Sequence, residues 1–358
     1  MFKRTTLSQS GRRSALSALA LSALATALAP LPAAAQDKVL NLYSARHYQS
    51  DEQLYTDFTR QTGIRINRIE ADDNALFERL KTEGKNSPAD VILMVDAARL
   101  WRAEAAGMFQ PVQSKVLSSR IPANLQGGDD ARNPQWFGIS TRARIIVYNK
   151  VGVKPEDVPT YESLADPKNK GKVCTRSGSH PYMLSLIGAM VERNGEAATE
   201  KWARGMVGNF ARPPRGGDTD QIRGVAAGEC GVTLANSYYY ARLLRSTRSE
   251  DREAMNKVGF LWPNQQTSGT HINVSGAAVA RNAPHREAAV KFIEYLASDQ
   301  AQAYFANGNN EWPAVAGVAV KNPAIESMGK FKPENVSISA IGRNQIVAQK
   351  ILDRVGYK

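Results

Sequence analysis

Trp136-Phe-Gly-Ile-Ser-Thr-Arg-Ala-Arg-Ile-Ile-Val-Tyr148 is a long β-prone run that joins two stretches of chain, each of which reads as α/β. Upstream of it, strand and helix alternate. Val39-Leu-Asn-Leu-Tyr43 is a short strand, and Ser50 to Thr62 is a helix on the pattern Leu54, Tyr55, Phe58. Ile64 to Ile69 is a strand, Asn74 to Glu83 a helix with the stripe Leu76, Phe77, Leu80, Ala89 to Val95 a buried strand, and Ala97 to Ala106 a helix closed by Gly107. Downstream, the alternation restarts at Gly171-Lys-Val-Cys174. Helices follow over Tyr182–Glu192, Ala197–Met206 and Thr219–Ala227, then a strand over Val232–Ala235 and a helix over Tyr239–Leu244. Thr270 to Val279 is again β-rich and reads as a return crossing, Ala283 to Leu296 is an amphipathic helix, and the tail ends in a helix from Asn335 or later. Such alternation predicts parallel sheet covered on both faces. Two α/β lobes joined by more than one crossing predict a clamshell that closes over a ligand.

Composition agrees with this size. The chain has 358 residues, 42% hydrophobic and 22% charged, which is enough for two lobes with ample core and excludes a disordered chain. Two cysteines and four histidines exclude a zinc-rich module and a disulfide-framework miniprotein. The net charge of +12 raises the question of nucleic acid, but the basic residues are scattered and form no concentrated face.

Part of that charge belongs to an export leader. Lys3, Arg4, Arg12 and Arg13 precede the apolar run Ala15 to Ala29, and Pro30-Leu-Pro-Ala-Ala-Ala35 supplies small residues for a signal peptidase. Residues 1–35 are therefore expected to be a signal peptide, using either the general secretory or, through Arg12-Arg13, the twin-arginine route. Its removal leaves 42 basic against 34 acidic residues, or +8. The expected destination is an oxidising space such as a bacterial periplasm, where Cys174 and Cys230 can pair.

Sites in α/β sheets fall at the carboxyl ends of strands. The segments there are Ser44-Ala-Arg-His47-Tyr48, Arg176-Ser-Gly-Ser-His-Pro-Tyr182 and Asn236-Ser-Tyr238-Tyr239-Tyr240, and the central run adds Arg142 and Arg144. Phenols are poor acids at neutral pH, but a hard, highly charged cation stabilises the phenolate and displaces its proton. A tyrosine and histidine cluster without Cys or Met donors thus points to Fe(III). The other reading of the same residues is aromatic packing within a lobe.

Seven segments in order resemble the periplasmic ferric-iron-binding proteins of ABC importers, specifically the FutA-type branch of the transferrin-like clamshell family. They are Leu42–Tyr48, Trp136–Arg144, Arg176–Tyr182, Gly216–Ile222, Asn236–Tyr240, Gly269–Gly276 and Asn310–Pro313. The resemblance implies a type II, transferrin-like periplasmic-binding-protein clamshell with a β-strand hinge. Lobe 1 would comprise 36–143 plus 270–310, and lobe 2 would comprise 144–269 plus 311–358. It implies Fe(III) held by Tyr48 from one lobe and Tyr182, Tyr238 and Tyr239 from the other, with His47 as fifth ligand or close neighbour and Tyr240 left to packing. The family usually carries Ser-Ser where Ser177-Gly178 stands and Tyr where Trp312 stands; neither position is an expected ligand.

Four phenolates against Fe(III) leave −1, and a buried net charge needs compensation, for which Arg142 is the expected cation. His180 and His271 are expected to serve as helix cap or hinge, Asp218 and Asp220 as a helix-start cap, and His285 as a solvated side chain. The expected partner is an ABC permease at the inner membrane, and the expected state is monomeric. Two rival functions share this fold: a receptor for a small organic anion or cation, and a secreted enzyme. For the second, the sequence offers no GxSxG, HExxH or phosphate loop.

Overall fold

The run Trp136–Asn149 is one strand of 14 residues that changes partners halfway along. In the computed structural model, which describes residues 38–46, 48–128 and 132–358, ten strands form one sheet. In chain order they are β1 (Val39–Ser44), β2 (Arg65–Glu70), β3 (Val91–Val95), β4 (Gln126–Gly127), β5 (Trp136–Asn149), β6 (Val173–Cys174), β7 (Val232–Asn236), β8 (Val258–Leu261), β9 (Ile272–Val279) and β10 (Trp312–Pro313). The order is β2-β1-β3-β9-β5-β7-β6, with β4, β8 and β10 also on β5. Trp136 to Ala143 pair with β9, whereas Arg144 to Tyr148 pair with β7. The expected leader and His47 lie outside the described residues.

Side chains alternate across a strand, and β5 uses this to feed three cores. Trp136, Phe137, Ile139 and Ala143 belong to a core with Leu42, Phe58, Ile92 and Phe292. Beyond Arg144 the two faces part. Ile146 packs with Met190, Trp202 and Ile351, while Ile145 and Val147 pack with Ile222, Tyr240 and Val258.

The sheet is mixed, which corrects the all-parallel expectation. β1 is parallel to β2 and β3, and β6 to β7, but β3–β9, β9–β5 and β5–β7 are antiparallel. A strand that crosses between two units and one that returns beside it run in opposite senses, so the crossing pair must be antiparallel. The two are stitched where they meet. The Arg144 N–H donates to the His271 carbonyl at 2.9 Å, and the Tyr161 hydroxyl donates to the Arg144 carbonyl at 2.6 Å while accepting the His271 N–H at 3.0 Å.

Most expected elements form with ends moved by one to three residues. The helix expected from Ala283 begins at Arg286, after Pro284. Helices Ser249–Lys257, Asp299–Asn309 and Pro323–Met328 and strand β8 are additional to the sequence expectation. Ser249–Lys257 buries only Asp251 and Met255, so it has no apolar stripe to betray it. The tail forms two helices, Ile338–Arg343 and Gln345–Val355. Its end explains Gly178: a Cβ there would stand 2.5 Å from the Tyr357 carbonyl oxygen, too close for any side chain.

Cys174 at the end of β6 and Cys230 just before β7 form a disulfide with a Cα–Cα distance of 5.8 Å. It ties together the two strands that lead into the tyrosine-bearing segments. Closing a loop of this length stabilises the fold by about 4 kcal/mol in the chain-entropy treatment. The Cys174→Ser, Cys230→Ser variant is therefore expected to lose about that much unfolding free energy in urea, with a steeper slope because its unfolded chain is less compact.

Candidate metal centre

Four tyrosines gather where three strands end. Tyr48 follows β1. Tyr182 stands in the first turn of helix Pro181–Asn194, which His180 caps by accepting the Tyr182 N–H on Nδ1 at 3.2 Å. Tyr238 and Tyr239 stand in the first turn of helix Ser237–Leu244, which starts directly at the end of β7, two residues earlier than expected. The Tyr182 and Tyr238 hydroxyl oxygens are 3.0 Å apart, and the Tyr238 and Tyr239 ring centroids 4.3 Å apart. Tyr240 points elsewhere, packing 4.9 Å from Phe260, as the roughly 100° rotation per helical residue requires.

Burial makes these phenols reluctant to ionise. Desolvation, then the negative charge of Glu311, pushes Tyr48 up to about 12. Tyr182 and Tyr238 are raised well above the ordinary range, first by desolvation and then by the negative charge their tyrosine neighbours would carry. Tyr182 feels Tyr239 and Tyr48, and Tyr238 feels Tyr182, Tyr48 and Tyr239, so the four share one electrostatic environment. Among the described residues, no three His, Cys, Asp or Glu side chains gather in a metal-binding group. The phenols are the donor set that the fold assembles.

Two buried ion clusters hold the tyrosine segments. In the first, Asp218 accepts from Arg144 Nη1 at 2.5 Å, from Arg176 Nη1 at 3.0 Å and from the Asn236 N–H at 2.7 Å. Burial alone would raise its carboxyl, yet the two guanidiniums hold it below the usual carboxylate range. Asp218 is thus a buried counter-ion, correcting the helix-cap expectation. Asp220 does cap, accepting the Gly217 N–H at 2.8 Å. One carboxylate thereby joins β5, the segment leading to Tyr182 and the end of β7 leading to Tyr238. Arg176 also lies 4.9 Å above the Tyr182 ring.

In the second cluster, Arg46 donates to Asp51 at 2.8 Å and to Glu311 and Ser275 at 3.0 Å, and its guanidinium sits 5.0 Å over the Tyr48 ring. Arg46 and Glu311 fall within segments singled out in the sequence, but only the fold makes them partners. Their separation of 265 positions explains why no local pattern shows it.

Arg142 differs from the other buried arginines. It is 1% exposed, and its Nη1 donates to Ser275 Oγ at 3.0 Å, the same hydroxyl that serves Arg46. Its Nε and Nη2 are buried without a partner. Its guanidinium carbon lies 5.9 Å from the Tyr182 ring centroid. Of the carboxylates near it, Glu311 is bonded to Arg46, and Asp96 is committed to Ser185 Oγ at 2.7 Å, the Ala98 N–H at 2.9 Å and Asn273 Nδ2 at 2.8 Å. Asp96 holds φ at 109°, so these bonds fix a strained backbone at the end of β3.

The other histidines behave differently from one another. His271 is buried at the crossing, with Nδ1 bonded to Glu334. His285 corrects the solvated expectation: its Nδ1 lies 2.9 Å from Asp90 Oδ2, and its N–H donates to Asp90 Oδ1 at 2.6 Å.

Comparison with known proteins identifies the family and the fold. Residues 53–333 match the bacterial extracellular solute-binding protein family. Iron uptake protein A1 of Synechocystis sp. is 50% identical over 323 residues, covering 90% of this chain and 88% of that protein. The structure of Trichodesmium FutA in complex with iron and citrate is 50% identical, with a TM-score of 0.85 over 89% of this chain and 100% of that one. The major ferric iron-binding protein of Neisseria meningitidis is 26% identical over 347 residues, covering 97% and 98%. The fold is therefore the two-lobed, transferrin-like type II architecture expected from the sequence.

Two outcomes follow from the site's electrostatics. Removing the buried counter-ion in Asp218→Ala strands two guanidiniums and is expected to cost about 3–5 kcal/mol in chemical unfolding. The raised phenol pKa of Tyr48 favours folding while that group stays neutral. Metal-free protein should therefore hold its stability below about pH 10 and lose it as pH climbs towards 12, and Tyr48→Phe should lessen that loss in alkaline unfolding curves.

Proposed function

This chain belongs to the bacterial extracellular solute-binding proteins, in the group that includes the ferric-iron-binding proteins of iron importers, and from that premise we propose that it captures Fe(III) in an interlobe cleft. The observation that carries the reading is the gathering of four phenols beside a buried, half-satisfied Arg142. Two phenol oxygens 3.0 Å apart in a desolvated site cannot both ionise unaided, since each phenolate raises the pKa of the other. A trivalent hard cation reverses that balance, displacing the protons and binding the oxygens.

Tyr48, Tyr182, Tyr238 and Tyr239 are the proposed ligands, with His47 as a fifth ligand or close neighbour of Tyr48. Four phenolates and Fe(III) sum to −1, and the Arg142 cation with its two unmet donors supports the role of counter-charge. We place lobe 1 at 36–143 plus 270–310 and lobe 2 at 144–269 plus 311–358. Iron binds first to Tyr182, Tyr238 and Tyr239, and closure brings Tyr48 to it. The protein works as a monomeric binding protein rather than an enzyme. It is exported by the leader 1–35 to the periplasm, and its closed form delivers iron to an ABC permease in the inner membrane.

Titration of metal-free protein with chelated ferric iron is expected to develop a visible phenolate-to-iron absorption band. Tyr238→Phe, Tyr239→Phe should lose most of it; an unchanged band in that variant, or none in the wild type, refutes the assignment. Affinity should fall on acidification by up to about tenfold per pH unit for each phenol that must release its proton. Reduction to the less acidic Fe(II) should release the metal, read as bleaching of the band.

A further inference from the structure

We propose that the buried carboxylate of Asp96 is a positioning residue for the metal site: through Ser185 it holds the helix start that carries Tyr182, and so sets the Tyr182 oxygen against the Arg142 cation. This rests on the ligands and lobes proposed above. Asp96 follows β3, precedes helix Ala97–Ala105 and is fully buried.

Capping the helix does not account for this residue. An ordinary N-cap has extended backbone with negative φ. Asp96 instead holds φ at 109° and ψ at 136°, a region that glycine enters freely and other residues seldom do. Glycine would relieve the strain, so it is the carboxylate that the strained position retains. Its oxygens reach three elements. Oδ1 accepts the Ala98 N–H at 2.9 Å and the Ser185 hydroxyl at 2.7 Å, and Oδ2 accepts from Asn273 Nδ2 at 2.8 Å. Two further bonds tighten the grip on β9: the Asp96 N–H donates to the Val274 carbonyl at 2.9 Å, and the Ala97 N–H donates to Asn273 Oδ1 at 2.8 Å.

These partners converge on the proposed site. Asn273 stands opposite Arg142 in the pairing of β5 with β9, and Arg142 feels the negative charge of Asp96 while its only bonded donor goes to Ser275. Ser185 is fully buried and lies three residues after Tyr182 in helix Pro181–Asn194, so the two share a helix face. The bond from Ser185 to Asp96 also crosses between the proposed lobes, from 144–269 to 36–143. Tyr182 thereby takes its place relative to lobe 1 from Asp96, whereas the end of β7 that leads to Tyr238 and Tyr239 is held by Asp218. A phenolate displaced by a fraction of an ångström would meet both the metal and Arg142 less well.

The test is a double-mutant cycle on iron release. Mature protein loaded with Fe(III) is mixed with excess desferrioxamine, and loss of the phenolate-to-iron band gives the release rate. Ser185→Ala removes one hydroxyl and leaves each Asp96 oxygen a donor, so the fold is kept. Release is expected to quicken roughly tenfold, the scale of one hydrogen bond to a charged group. Because Ser185 acts through Tyr182, its removal should add nothing in Tyr182→Phe, which itself releases faster, yet should keep its full effect in Tyr239→Phe. A merely structural serine would quicken release equally in both backgrounds. Unchanged release in Ser185→Ala, or the same quickening within Tyr182→Phe as in the wild type, overturns the proposal. A wild-type protein that develops no band refutes the iron site itself, and wild-type release in Tyr182→Phe refutes Tyr182 as a ligand, which separates those failures from this one.

Discussion

The ion cluster of Asp218 with Arg144 and Arg176 is the interaction on which the rest of the site depends. Arg144 is the residue of β5 at which pairing passes from β9 to β7, so its guanidinium is anchored in the crossing strand itself. Through one carboxylate it fixes both the segment leading to Tyr182 and the Asn236 N–H one turn before Tyr239. A buried ion cluster is a weak source of net stability, because desolvating three charges offsets most of their attraction. Its contribution here is register: the two tyrosine-bearing helix starts cannot shift independently without stranding a charge.

A second constraint is the balance of charge around the phenols. Arg46 with Asp51 and Glu311 carries −1, Asp218 with its two arginines carries +1, and these clusters offset each other. What remains is Arg142, whose Ser275 partner is neutral and whose other donors are unmet, with the buried carboxyl of Asp96 near it but bonded to other groups. Without cargo the site is therefore a buried cation among neutral phenols. With the four phenolates and Fe(III) of the proposed site it would be a buried ion pair.

Much of this was legible in the sequence because it is local. The length of the run at 136, the restart of alternation at Gly171 and the phenols at strand ends all show in short windows. The disulfide followed from there being two cysteines and an oxidising destination. What stayed hidden is non-local. Glu311 meets Arg46 across 265 positions, and Asp218 looked like a cap because a carboxylate at a helix start usually is one. The antiparallel crossings were missed for a different reason: apolar runs reveal that a strand is buried, not the direction in which its neighbour travels.

As the proposed ligand, tyrosine is a demanding choice, since the raised pKa of Tyr48, Tyr182 and Tyr238 must be overcome before those oxygens bind, and that difficulty would make the site selective and reversible. A divalent ion stabilises a phenolate less than a trivalent one, so desolvation that pushes Tyr48 to about 12 rejects weak cations first. The same protons that metal displaces stand ready to return when coordination loosens. The proposed ligands would be distributed across a two-stranded crossing. β5 and β9 meet at Arg144 and His271, the proposed hinge, while the disulfide and the Asp218 cluster hold the segments that carry Tyr182, Tyr238 and Tyr239. Under the proposed lobes and ligands, opening would withdraw Tyr48 from a group that the disulfide and the Asp218 cluster keep together, so release would need the loss of one anionic ligand rather than the dismantling of the whole site.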